Sequence, residues 1–275
     1  MTQAEAKNDK AIDLFAVRSL LFLPASNPRA IAKARDAGAD LVILDLEDAV
    51  KAEDKHDARR AAVEAVADDW PMPVAIRING AGTEWHSLDL DAVAQSAADL
   101  VVVPRAISEH LMRDVAATTD KQVLAMIETA AGVLAVAEIA RSCAGLIAGT
   151  NDLRADLRLP IDATREPIST ALQMLVLAAR AMGIASFDGV FNGLDDPDGL
   201  AREAADGRRL GFDGKSLIHP NQIAVCHAAF APSEAEIVRA RALIEAFNGG
   251  AERFGSEMIE RMHVETARRV LERGG

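Results

Sequence analysis

Eight short apolar runs recur at the spacing of a βα unit, and five of them finish on a charged residue, which predicts an α/β chain closed into a TIM (β/α)8 barrel with additional C-terminal helices. No GxGxxG follows the first run, which argues against an open dinucleotide-binding sheet. A length of 275 residues, 50% of them hydrophobic, suits one barrel with a large core better than two small domains. The expected division is a flexible leader over 1–17, a barrel over 18–230 and a helical lid or oligomerisation segment over 231–275.

Composition narrows the function classes. Forty-two acidic against 30 basic residues give a net charge of -12, which disfavours a nucleic-acid surface but leaves room for an anionic ligand held by a few local cations. Cys143 and Cys226 sit in apolar helical contexts with no CxxC or Cys/His cluster, as expected of free thiols in a reducing cytoplasm. The opening MTQAEAKNDKAID is polar, so neither a signal peptide nor a membrane span is expected there.

The elements follow in order. A first strand over 19–23 runs into Pro-Ala-Ser-Asn-Pro, where Ser26 or Asn27 can cap a helix whose first turn holds Pro28. Arg29 and Lys33 lie nearby, either as phosphate contacts or as solvated cations. The second strand, 40–46, delivers Asp45, Glu47 and Asp48 to its end, a density of acids able to order a cation or support a metal through water. A charged helix over 55–68 leads to the third strand, 74–78, which carries Arg77. A buried guanidinium must meet a carboxylate, so Arg77 either forks onto a substrate or pairs with one of Asp45, Glu47 and Asp48, and the two can coexist. The fourth strand, 100–103, ends on Pro104-Arg105, another cation at the same rim.

Next come QVLAMIET, a helical stretch AAGVLAVAEIARSCA, and GLIAGTNDL: two strands running out into Glu128 and Asp152. Neighbouring parallel strands point the same way, so these acids meet above the sheet. Two hard oxygen ligands that leave positions for water and substrate suit Mg²⁺; two unrelated surface carboxylates is the plainer alternative. After an excursion over 154–165 and a helix to Met182, a seventh strand covers 184–188. A helix through Arg209 and an eighth strand within 211–220 follow, with His219 either donating to a ligand or fixing its loop. Helices over 233–248 and 256–272 are surplus to the barrel.

The succession RSLLFLPAS, DLVILDLEDAV, AIRING, MIET, GTNDL and LGFDGKSLIHPNQI, over residues 18–223, resembles the citrate lyase β-subunit family within the HpcH/HpaI aldolase group. The resemblance implies a trimer or hexamer with Mg²⁺ on Glu128 and Asp152, and Arg77 gripping the carboxylate of a 2-oxo acid. It implies cleavage of a 3-hydroxyacyl-CoA-type thioester, such as citryl-, malyl- or citramalyl-CoA, to an acyl-CoA and a 2-oxo acid, with Asp45 and Lys33 assisting binding. Alternatives within it are a citrate lyase β-subunit acting on an acyl-carrier protein thioester, and a non-catalytic metal and oxo-acid binder. Two departures stand out. Asn27 replaces an arginine common among CoA-cleaving relatives, and Gly255 occupies the expected position of an Asp or Asn, leaving Glu257 as the nearest substitute acid.

Overall fold

The computed structural model describes residues 12–274. The chain separates into two compact units, one ending at Cys226 and one beginning at His227. In the first, eight parallel strands close in chain order: β1 (Ser19–Pro24), β2 (Leu41–Asp45), β3 (Val74–Arg77), β4 (Leu100–Val103), β5 (Gln122–Ile127), β6 (Gly145–Ala148), β7 (Ala185–Asp188) and β8 (Gly214–Leu217). Closure comes from β1, which pairs Leu20 with Leu41 on one side and Ser19 with Lys215 on the other. β2 and β4 are Val, Ile and Leu runs buried on both faces, as a sheet with side chains filling its interior and helices outside requires, whereas β7 and β8 are equally buried but carry Asp188 and Lys215.

The intervening helices are α1 (Pro28–Ala34), α2 (Lys55–Val66), α3 (His86–Ala94), α4 (Glu109–Thr119), α5 (Ala130–Leu134), α6 (Val136–Ile139), α7 (Thr150–Asp156), α8 (Ser169–Met182) and α9 (Pro197–Leu210). Asn27 caps α1 by accepting from the Ala30 N–H at 3.1 Å, with Pro28 in the first turn. The single helix expected after β5 is instead broken at Ala135, and its tail over Ala140–Ser142 tightens to a 3-10 turn.

Three other expectations are corrected. Residues 1–11 of the expected leader lie outside the described residues, but Leu14 and Val17 are buried in the barrel core with Leu20 and Leu41. The side chain of Asp13 accepts from the Phe15 N–H and caps the turn that presents Leu14. Asp152 is not on a strand end; β6 stops at Ala148, and Asp152 lies in the first turn of α7. The helix expected over 256–272 begins only at Arg261, because residues 252–259 form a hairpin.

The second unit contains α11 (Glu234–Ala246), a hairpin of β9 (Glu252–Phe254) and β10 (Glu257–Ile259), and α12 (Arg261–Gly274), with α10 (Ile223–Phe230) crossing the divide. Ser233 and Glu236 form a reciprocal capping box on α11. Phe254 pairs with Glu257 across Gly255 and Ser256, and Gly255 takes φ +62, which a two-residue turn demands. Ala240, Leu243, Ile259 and Val264 form this unit's own core.

At the β7 and β8 ends of the barrel lies a buried ion network. Lys215 is fully buried, its Nζ donating to Asp188 Oδ2 (3.0 Å), Glu203 Oε1 (2.7 Å) and the Gly189 carbonyl (2.6 Å). Arg165, from the excursion after α7, reaches Asp188 Oδ1 at 2.6 Å and so ties that loop to β7. Lys215→Ala is expected to cost about 2–4 kcal/mol in urea unfolding, because Asp188 Oδ2 and Glu203 would lose their buried donor and only Arg165 would remain to pair with Asp188, whereas a surface Lys33→Ala should leave the midpoint unchanged.

Candidate active site

Asp45 closes β2 and Arg77 closes β3, in register with each other. Their contact is bidentate, Nε to Oδ1 at 2.6 Å and Nη2 to Oδ2 at 2.7 Å, while Nη1 lies 2.7 Å from Glu47 Oε2 as an ion pair. Asp45 also accepts from the N–H groups of Glu47 and Ala49, so both its oxygens are committed. Of the two partnerships foreseen for Arg77, pairing with the β2 acids is present; Nη1 is taken by Glu47 and by the sulfur of Met126 at 3.7 Å, and the second N–H of Nη2 remains for a ligand. Arg77 is held charged, the cost of burial being outweighed by Asp45, Glu47 and Glu128. Burial pushes Glu47 up to about 8 against the pull of Arg77.

The loop carrying Glu47 is fixed by Lys55, which the sequence shows only as the start of a charged helix. Its buried ammonium donates to the carbonyls of Leu46 and Glu47 (both 2.7 Å) and to Asn79 Oδ1 (2.6 Å). Asn79 donates in turn to Asp89, which pairs with Arg59 at 2.6 Å.

Glu128 follows β5 and is 1% exposed. Its Oε1 accepts from the Arg105 backbone N–H at 2.6 Å, while its Oε2 is buried without a hydrogen-bond partner. Burial pushes its pKa up to about 7; the Arg105 N–H opposes this and the charge of Asp152 adds to it. Asp152 is half-buried and likewise raised, by burial first and by Asp48 second, against Arg77 and Arg105. Glu128 fits only because position 149 is glycine: a Cβ there would stand 2.3 Å from Glu128 Cβ and 2.5 Å from Oε2.

A cavity of about 400 Å³ opens over this cluster, lined by Arg77, Asp45, Asp48, Asp152, Gly149 and Ser216 among others. Three predicted site residues, Arg77, Asp45 and Asp152, thus line this cavity, and Glu128 packs against its Gly149. Lys33 is exposed on α1 and does not line the cavity. His219 accepts from the Asn221 N–H at 3.2 Å and fixes its own loop. Among the described residues no three His, Cys, Asp or Glu side chains form a ready metal cage, so any metal here rests on the pair Glu128 and Asp152 with water and ligand completing its shell. A second cavity, of about 570 Å³, adjoins through Thr150, Asn151 and Val190 but contains none of these acids.

Several known proteins resemble the chain. A (3S)-malyl-CoA thioesterase of Cereibacter sphaeroides is 41% identical over 266 residues, covering 92% of this chain and 93% of that one. Citrate lyase subunit beta of Leuconostoc mesenteroides subsp. cremoris is 32% identical over 277 residues, covering 92% of each. The crystal structure of protein CitE from Mycobacterium tuberculosis in complex with magnesium, acetoacetate and coenzyme A is similar with a TM-score of 0.86 and 35% identity, over 95% of this chain and 99% of that one. The family model described as HpcH/HpaI aldolase/citrate lyase matches residues 18–220, and the chain belongs to that family.

Proposed function

We propose that the protein is an Mg²⁺-dependent carbon–carbon lyase that cleaves a 3-hydroxyacyl-CoA thioester of the malyl-CoA kind to an acyl-CoA and a 2-oxo acid. The observation that carries this is the buried, unpartnered Oε2 of Glu128, adjacent to the negative charge of Asp152 and to Arg77. A buried carboxylate oxygen without a donor is costly, and a second acid nearby makes it costlier; a divalent cation relieves both. The donor set therefore fits Mg²⁺, held by Glu128 and Asp152. When bound, the ion supplies Lewis-acid polarisation of the ligand oxygen that becomes the ketone.

The chain's own residues do the rest. Arg77, immobilised by Asp45 and Glu47, neutralises and orients the carboxylate next to the reacting carbon. Lys55 ties the Leu46 and Glu47 carbonyls to Asn79 and so fixes the backbone that carries Glu47. Cleavage removes the hydroxyl proton, breaks the bond between the hydroxyl-bearing carbon and the thioester α-carbon, and returns a proton to that α-carbon. Lys33, exposed on α1, is available to the phosphates of the carrier. Trimeric or hexameric assembly and a cytoplasmic location belong to the same reading. Delivery of the thioester by an acyl-carrier protein is the variant that a citrate lyase β-subunit would use. No described helix is long and apolar enough to cross a membrane.

A second reading is hydrolysis of the same thioester, favoured by the name of the 41% identical relative. The products separate the two. With (3S)-malyl-CoA and Mg²⁺, lysis yields glyoxylate and acetyl-CoA in equal amounts; malate and free CoA without glyoxylate would assign the chain to hydrolysis, and no turnover on any malyl, citramalyl or citryl thioester would leave a binder.

Glu128→Gln and Asp152→Asn are each expected to lower Mg²⁺-dependent turnover by at least about 100-fold. Their far-ultraviolet circular dichroism should stay unchanged. Near-normal kcat in either folded variant contradicts the assignment of ligands.

The raised pKa of Glu128 sets a pH dependence. The folded state favours its protonated form, so this residue withdraws stability as pH rises from about 4.5 through about 7. Without Mg²⁺, the melting temperature of the wild type should fall relative to Glu128→Gln across that interval. Mg²⁺ binds the ionised form, so it should stabilise the wild type more at pH 8 than at pH 5.5 and leave the variant nearly unaffected. Equal Mg²⁺ shifts at both pH values would contradict this.

A further inference from the structure

The turn after β4 is unusual in one residue. Arg105 has φ +48, a left-handed backbone that side-chain-bearing residues adopt at a cost and β-branched residues scarcely at all. Pro104 before it offers no N–H. The ladder between β4 and β5 pairs Val103 with Ala125 and then resumes where the Ala106 N–H donates to the Met126 carbonyl at 3.0 Å. Pro104 and Arg105 are thus looped out of the ladder, and the displaced Arg105 N–H is the one that donates to Glu128 Oε1 at 2.6 Å. The turn is also pinned from outside, since Gly132 of α5 packs so closely that a Cβ there would lie 2.5 Å from the Ala106 carbonyl. The side chain of Arg105 is exposed, with no ion pair among the described residues.

We propose that Arg105 is a positioning residue whose left-handed backbone, rather than its guanidinium, aims the N–H that pins one oxygen of Glu128 and leaves the other directed to the metal. An extended residue at this position would point its N–H along the ladder toward β5, and Glu128 would lose the only donor it has among the described residues. The carboxylate would then turn freely between Arg77 and Asp152, and metal binding would carry the entropy of fixing it. Strained backbone that persists under such tight surroundings is characteristic of sites where pre-organisation matters. This inference rests on the reading of Glu128 as an Mg²⁺ ligand.

The test compares uncharged substitutions, so that any contribution of the guanidinium cancels. Arg105→Gly and Arg105→Asn tolerate the left-handed region; Arg105→Thr and Arg105→Val do not. Calorimetric titration of Mg²⁺ in the presence of pyruvate should give Gly and Asn variants that agree within about twofold and Thr and Val variants about tenfold weaker. Equal affinity across the four overturns the proposal and returns any effect to the lost charge. If the Thr and Val variants show no cooperative melting transition, Arg105→Ala decides: binding several-fold weaker than Arg105→Gly supports the proposal, and equal binding overturns it. Glu128→Gln is titrated alongside. Wild-type affinity in that variant would overturn the ligand assignment itself and this inference with it, whereas lost affinity there with a flat Arg105 series overturns only the role of Arg105.

Discussion

The barrel mouth is governed by an imbalance of buried charge. Asp45, Glu47, Glu128 and Asp152 converge on one buried guanidinium, Arg77, with the Lys55 ammonium beside the first two and the exposed Arg105 acting on Asp152 from the rim. Asp45 is neutralised by the bidentate fork, and Glu47 shares what remains of Arg77. Glu128 and Asp152 are left with raised pKa values and no dedicated side-chain cation. Interiors answer such a surplus by taking up protons or a metal. The two are exclusive at one oxygen, so pH and metal content are coupled through Glu128.

That arrangement depends on backbone geometry as much as on acids. Glycine at 149 gives Glu128 its room. The register between β2 and β3 sets Asp45 beside Arg77, so the fork forms from two strand ends already held side by side by the ladder, and little side-chain freedom is lost in forming it. The Lys55, Asn79, Asp89 and Arg59 chain then fixes the carbonyls of Leu46 and Glu47. Few of the site's polar groups can therefore relax when a ligand enters, which is the condition for electrostatic pre-organisation.

Much of this was legible in the sequence because it follows from period and position. Apolar runs at βα spacing gave the closed sheet, and the residues closing them, Asp45, Arg77 and Glu128, had to share one rim. Asp152 was placed at the right rim but on the wrong element, since one apolar run cannot reveal whether its last residues still pair or already turn into a helix. Lys55 was illegible because a lysine in AEDKHDARR looks like any solvated cation; only the fold brings two carbonyls and Asn79 to it. Arg105 was seen as a charge, whereas its backbone is what meets Glu128. Nothing in residue identity announced a positive φ there, although Pro104 hinted at a break in the ladder. The hairpin over 252–259 was missed because its strands are three residues each, too short for an alternating pattern to show against a charged background.

Gly255 bears on the chemistry in a way that follows from proton accounting. Position 255 is a turn residue at φ +62 with no side chain, and Glu257 beside it is ion-paired to Arg239 at 2.6 Å, so neither is a free acid. Carbon–carbon cleavage and condensation are one reaction in two directions and cross the same transition state, so a missing donor for the α-carbon slows both alike and cannot select between them. Hydrolysis of the thioester is different, because water attacks the acyl carbon and no proton reaches the α-carbon at all. A glycine at 255 therefore withholds from cleavage a proton that hydrolysis never calls for, so its cost falls on the lyase reading alone.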